Sequence, residues 1–306
     1  MVNAIRSESL RVSGQPTRLS WRHNDRMESP TFVRFQLGAQ LRRVREEASV
    51  TAEQAADVIE VSASTLRRIE AGRVGIKAPA LNALLDRYGV TDVELRDTLL
   101  SMAKTGKQRG WWAKYGDLPS SYRQYIGLES AAEEVHNFET LVVPGLLQTE
   151  DYARALTSED ALEPSPEAVE RRVAVRMQRQ ELIATGKLRL LAVLDEAVLH
   201  RQIGGAAVMA EQLTALLEAS KRWNVTLQVI PFRAGAYASM VSSFHILNFA
   251  GGPGVVYIEG ITGDLYAEGD DVRRCTVVFN SLRASALSPS DSIAMIKAVQ
   301  DAGPDM

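Results

Sequence analysis

The sequence predicts a mainly α fold with an α/β part: a five-helix bundle containing a helix-turn-helix, followed by a mixed α/β C-terminal domain. Three observations predict it. From 32 to 104 the large apolar residues recur at the spacing of amphipathic helices, interrupted only by short capping signals. Beyond 187, β-branched runs alternate with helical stretches, the pattern of βαβ units. The length, 306 residues, exceeds that of an ordinary single domain of ~100–200 residues. The expected division is 1–31 as a disordered extension, 32–106 as the helical unit and 107–306 as the C-terminal domain.

The elements follow in order. Residues 1–26 are rich in Arg and Ser and lack apolar periodicity, so they read as a disordered tail ahead of Met27, the alternative being a basic arm for DNA phosphates. In Phe35-Gln-Leu37-Gly-Ala-Gln-Leu41-Arg-Arg-Val44-Arg45 the apolar residues mark one helix face. Thr51-Ala-Glu-Gln54 fits a capping box that opens a helix running to about Ile59. After the break Glu60-Val61, Ser62 is the next N-cap and Ala63–Glu70 the third helix, stopped near Gly72. Val61 and Leu66 stand where a hydrophobic staple would fix its entry angle. Helices over 78–88 and 92–104 complete the unit.

In the C-terminal half the reading places helices over 128–138, from Thr149, and over 167–184, 206–222, 273–286 and 290–299. Strands are placed over 188–194, Val225–Ile230, 244–249 and 255–259, with a βαβ unit spanning the first two. Pro144-Gly145 reads as a turn, Thr149 as a helix cap, Asp195 as an N-cap after a strand, and Gly251-Gly-Pro-Gly254 as a turn between strands.

Composition narrows the function classes. The formal charge of −3 conceals an asymmetry: residues 1–110 hold 18 Lys/Arg and 13 Asp/Glu, a balance of +5, and the remainder is −8. A basic half points to a polyanionic partner. The single cysteine, Cys275, excludes an internal disulfide framework and reads as a small buried residue. His23, His136, His200 and His245 lack metal-ligand spacing, so no metal or cofactor is expected. There is no Gly-x-Ser-x-Gly elbow and no phosphate-binding loop, so no catalytic residue is assigned and the chain is not expected to be an enzyme. With no apolar run of ~20 residues and no apolar signal core, a cytoplasmic protein with no membrane partner is expected.

Two short helices around a tight break suggest a DNA-binding helix-turn-helix. On the third helix, Leu66 and Ile69 mark the buried stripe, while Ser64, Arg67, Arg68 and Ala71 fall opposite. Arginine reads guanine edges bidentately and clamps phosphates, which suits this face to a major groove.

The run Leu37-Gly-Ala-Gln-Leu41-Arg-Arg-Val-Arg45-Glu-Glu, with Thr51-Ala-Glu-Gln-Ala-Ala and Val61-Ser-Ala-Ser-Thr-Leu-Arg-Arg-Ile-Glu70-Ala-Gly72, resembles the lambda-repressor-like helix-turn-helix of xenobiotic-response-element (XRE) regulators. Gly110-Trp-Trp112, Tyr125-Ile-Gly-Leu-Glu129, Val143-Pro-Gly-Leu-Leu-Gln-Thr-Glu-Asp-Tyr-Ala153 and Leu194-Asp-Glu-Ala-Val-Leu199 resemble the C-terminal domain of an actinomycete group of toxin–antitoxin-like XRE regulators. The resemblance spans about 32–300. It implies a transcription regulator, commonly encoded beside a small partner protein. It supports Ser62, Ser64, Thr65, Arg67 and Arg68 as groove-facing residues, with Arg42, Arg73 and Lys77 as phosphate contacts; Thr51 completes the DNA-binding set. The chain departs from the family's pattern at Ala52, where Gln is frequent, and at Glu60, where Gly is usual. If that turn needs φ > 0, a non-glycine residue costs about 1 kcal/mol.

A single recognition unit buries ~600–1,000 Å², so a homodimer on an inverted-repeat operator in double-stranded DNA is expected, with half-sites ~34 Å apart. Trp111, Trp112, Tyr115, Tyr122 and Tyr125 cluster within fifteen residues and either wedge the domains together or form a ligand or partner surface. The C-terminal domain is then a sensor of a small effector or a dock for a small protein encoded by a neighbouring gene. The alternative is a DNA-tethered metabolite-binding module or enzyme.

Overall fold

A computed structural model of the chain describes residues 29–116, 118–159, 165–250, 252–260 and 263–303. The tail reading for 1–26 lies outside these. The extension was expected to reach 31, but Pro30 and Thr31 are already buried in the first helix, whose N1 proline has no amide hydrogen to leave unpaired.

Five helices form the N-terminal unit: α1 (Pro30–Glu47), α2 (Ala52–Val58), α3 (Ala63–Glu70), α4 (Ala78–Arg87) and α5 (Val93–Thr105). The periodic leucines meet in one core of Leu37, Leu41, Leu66, Leu81, Leu85 and Leu99. Gly38 is required there. A Cβ on it would lie 2.3 Å from the Glu70 carbonyl oxygen, so only glycine lets α1 and α3 approach this closely. The first turns of α1 belong elsewhere. Phe35 is part of the main C-terminal core, and Phe32 stacks on Phe249 with ring centroids 4.4 Å apart. One helix therefore packs into both cores, changing allegiance between Phe35 and Leu37.

A short 3-10 turn, Trp111–Tyr115, leads into α6 (Ser120–Glu129) and β1 (Glu134–Glu139). Next come α7 (Glu150–Ser158), α8 (Pro166–Ala184), β2 (Arg189–Asp195), α9 (Ala197–His200), α10 (Ala206–Ala219) and β3 (Val225–Ile230). The chain closes with β4 (Phe244–Asn248), β5 (Val255–Ile258), β6 (Leu265–Ala267), α11 (Asp270–Ser285) and α12 (Pro289–Ala302). The six strands form one sheet in the order β3-β2-β1-β4-β5-β6. The β1, β2 and β3 strands run parallel, so the expected βαβ unit from β2 through α10 to β3 is present; β4, β5 and β6 add on antiparallel. Both faces are covered. Val135, Leu190, Leu194 and Leu227 point into the main core, while Phe138, Val193, Ile230 and Phe244 pack with Phe279 and Leu282 of α11.

The helix expected over 128–138 is wrong. That stretch divides into the end of α6, a tight turn and β1. Ala131-Ala132-Glu133-Glu134 favours a helix locally, but Val135 and Phe138 each enter a different core, as only a strand buried between two neighbours allows. The β6 strand was not expected, since its three residues carry little pattern. The turn between β4 and β5 is present, with Gly251 itself outside the described residues. Cys275 is half-buried rather than buried: it packs at the edge of the cluster that Phe279 and Leu282 of α11 form against the sheet.

The Pro-Gly-Leu-Leu-Gln-Thr segment is held by glutamine side chains, two of them buried. Gln148 donates to the Val143 carbonyl at 2.6 Å, Gln180 to the Gln148 carbonyl at 2.7 Å, and Gln212 to the Leu147 carbonyl at 2.8 Å. Thr149 caps α7, accepting from the Tyr152 amide. The N-cap of α9 is Glu196 and not Asp195, which ends β2; the Asp195 carboxylate accepts from the Ala197 amide at 2.8 Å and also takes the Tyr237 hydroxyl.

Candidate nucleic-acid interface

The helix-turn-helix is built from its caps outward. Thr51 and Gln54 exchange two bonds, Gln54 N to Thr51 Oγ1 at 3.2 Å and Thr51 N to Gln54 Oε1 at 3.0 Å, so the expected capping box is complete. In the turn Glu60 has φ 54°, the left-handed conformation that normally selects glycine, so the departure at this position carries the anticipated strain. Ser62 caps α3 by accepting from the Thr65 amide at 3.1 Å. Its Oγ also lies 2.9 Å from both Ser64 Oγ and Thr65 Oγ1, which puts three hydroxyls at the positive end of α3. Leu66 and Ile69 are buried beneath, and Ser62, Ser64, Arg67 and Arg68 are exposed in the full chain.

An ion pair fixes the depth of this helix. Arg45 donates to Glu70 at 2.6 and 3.0 Å and to the Val50 carbonyl at 3.0 Å. The bonds to Glu70 hold the Arg45 pKa above its ordinary value despite burial. Tyr88, buried beside Glu70, has its phenol pushed up to about 12. The sequence reading missed this pair, although Arg45 follows Leu41 by four residues and Glu70 follows Leu66 by four. Two opposite charges on two apolar stripes are the signal that could have found it.

The two adjacent arginines of α3 part company. Arg67 reaches back to Glu53 of α2 at 2.7 Å, across an exposed surface. Arg68 turns toward a cleft between α3 and the C-terminal domain, also lined by Arg34, Arg73, Arg123, Asp264 and Tyr266. Arg73 lies over the Tyr266 ring, 5.8 Å from its centroid. Arg42 pairs with Glu46 at 2.9 Å. Burial raises the Glu268 carboxyl above its usual range, and Arg42 and Arg73 oppose that shift. Lys77 is exposed at the start of α4. The nine expected DNA residues are therefore not one continuous face: the hydroxyls and Arg67 are open, and Arg68 and Arg73 border the second domain.

The five aromatics make most of their contacts inside the C-terminal domain. Trp112 and Tyr125 are buried; Trp111, Tyr115 and Tyr122 are partly so, packed with Leu118, Ile126 and Val175. Tyr115 donates to Gln178 at 2.5 Å and Tyr125 to Glu129 at 2.7 Å. Glu129 in turn accepts from Arg179 at 2.7 and 2.8 Å in a pair that is almost wholly buried. Trp112 alone of the five borders the cleft. No sequence signal pointed to Arg34, Arg123, Asp264 or Tyr266, which come from α1, α6 and the segment around β6.

The bundle, with α2 and the capped α3 joined by a tight turn, defines a helix-turn-helix protein. Residues 36–99 match a family described as a helix-turn-helix domain. Residues 122–298, more than half of the chain, match a domain of unknown function, DUF5753, and the chain belongs to that family. No curated protein and no solved structure matches it.

Proposed function

We propose that this protein is a sequence-specific, DNA-binding transcription regulator of the XRE type, akin to the toxin–antitoxin-like group, and that its C-terminal domain adjusts DNA binding in response to an effector or a small partner protein. The observation that carries the reading is the exposed face of α3. Three hydroxyls at a helix N-terminus and the adjacent Arg67 stand clear of the second domain, where base edges and phosphates can be reached together. Arg42 and Lys77 supply positive charge on the flanks for backbone phosphates.

In this reading the protein acts in the cytoplasm as a homodimer on an inverted repeat, and its C-terminal domain carries no reaction. No described helix is long and apolar enough to cross a membrane. The test is fluorescence anisotropy on an operator selected by the protein from genomic fragments. Ser64→Ala with Arg67→Ala should cost about 1–3 kcal/mol in specific affinity and leave binding to unrelated DNA nearly unchanged. Specific affinity should also fall steeply between about 50 and 200 mM salt. Full operator affinity in the double variant would overturn the assignment of α3.

A further inference from the structure

The cleft beside α3 has a chemistry that DNA binding alone does not explain. It holds about 360 Å³ and adjoins a second hollow of about 490 Å³; the two share Arg34, Trp112 and Arg123. Volumes of ~300–1,000 Å³ are those of small-molecule sites. Among the described residues, Arg34, Arg68, Arg73, Arg109 and Arg123 line the two hollows with one carboxylate, Asp264, and Glu268 lies beyond the lining, close enough to Arg73 to feel its charge. Guanidinium groups gathered without matching carboxylates repel one another, and an anion placed among them relieves that repulsion.

Arg34 is the most informative member. It is half-buried, and its donors go to neutral acceptors, the Gly106 carbonyl at 2.6 Å and Thr31 Oγ1 at 3.0 Å. Burial lowers its pKa. The surroundings are shaped to hold it. A Cβ on Gly106 would lie 2.6 Å from Arg34 Cγ, and one on Gly72 would lie 2.5 Å from Phe35 Cα. The end of α5 and the turn after α3 thus close around α1 at the point where this side chain emerges. Opposite, Tyr266 donates to the Ser121 carbonyl at 2.7 Å and carries Arg73 over its ring, which fixes the C-terminal wall.

We propose that this cleft is an effector site for a small molecule bearing two or more phosphate groups, and that its occupancy competes with DNA for Arg68 and Arg73. Planar guanidinium groups bind phosphate oxygens bidentately, and five of them against one carboxylate match a ligand of several negative charges better than a single orthophosphate. The regulatory half of the proposal rests on the DNA-binding role given to α3. A ligand that engages Arg68 and Arg73 withdraws two cations from the DNA side, and by reciprocity DNA weakens the ligand.

The test separates the two halves. Isothermal titration calorimetry of the full-length protein without DNA uses inorganic pyrophosphate as probe, with orthophosphate and sulfate beside it. Pyrophosphate should bind, and Arg123→Gln should weaken it by about tenfold or more. Arg34→Gln should do the same, with its thermal melt recorded because Arg34 also bonds to Gly106. Neither side chain belongs to the DNA face, so operator affinity without probe should match wild type. Added pyrophosphate should lower operator affinity by about 5–150-fold in wild type and leave the Arg123→Gln variant unmoved. Absence of pyrophosphate binding, wild-type binding by Arg123→Gln, or equal binding of sulfate would overturn the site. Loss of operator affinity in Arg123→Gln without probe would overturn it too, assigning the cleft to DNA phosphates. Pyrophosphate binding without any operator binding would keep the site and reject the reading of α3.

Discussion

Each domain buries one arginine against one glutamate, whereas the junction between them, among the described residues, gathers five arginines around one lining carboxylate, Asp264. In the helical unit Arg45 meets Glu70 across α1 and α3; in the C-terminal domain Arg179 meets Glu129 across α8 and α6. Both pairs are two-pronged, and both use their remaining donors, Arg45 on the Val50 carbonyl and Arg179 on the Tyr122 hydroxyl at 3.0 Å. Although burial works against its charge, Glu129 and the surrounding tyrosines hold Arg179 well above its ordinary pKa. The contrast teaches how to sort arginines in this chain. Where folding alone removes a guanidinium from water, a carboxylate is supplied with it. Where several remain beside an open cleft with one carboxylate among them, the missing charge must come from outside.

The largest expected effect tests the paired side. Arg179→Ala strands Glu129, which is wholly buried, and should cost about 3–5 kcal/mol in stability by chemical denaturation. Arg109→Ala, at the exposed rim of the cleft, should stay within about 0.5 kcal/mol. Equal losses in the two would erase the distinction between structural and ligand-directed arginines. A smaller effect sharpens the comparison in the helical unit. Arg45→Met combined with Glu70→Leu should recover most of the stability that Arg45→Ala alone loses, because apolar groups of similar volume replace a buried pair without desolvation.

The smallest effect lies at the junction itself. The Glu268 carboxyl is raised in the folded chain by burial. Its contribution is therefore most favourable below the ordinary carboxylate range and is lost as pH rises through its folded value. Glu268→Gln should flatten that part of the stability profile, seen as a smaller drop in denaturation midpoint between about pH 4 and pH 7. An unchanged profile would show that Arg42 and Arg73 already offset the burial in full.

The helical unit was legible in the sequence nearly to the residue, because its signals are local. The Thr51 and Ser62 caps, the Leu66–Ile69 stripe and the glycine after α3 lie within a few residues of what they determine. The α8 helix and the β3 strand were legible for the same reason. The β1 strand was not. The alanines just before it and its first glutamate favour a helix, and only the neighbours β2 and β4, more than fifty residues on in the paired register, make it a strand. The candidate site divides along the same line. Ser64 and Arg67 follow from helix periodicity, whereas the cleft assembles Arg34, Arg68, Arg123 and Asp264 from segments whose approach is set by tertiary packing alone.

Because α1 is rooted in both cores, the two domains share a spine instead of being strung on a tether. Phe32 and Phe35 grip the sheet domain at one end of that rod, while Leu37 and Leu41 grip the reading head at the other. The aromatic contact with the sheet domain and the glycine contact with α3 are thus carried by one continuous helix. Cutting the chain between 106 and 111 would not divide the protein into two modules. The N-terminal piece would carry away two phenylalanines that complete the other's core, so dissection at that point would damage the half it was meant to isolate.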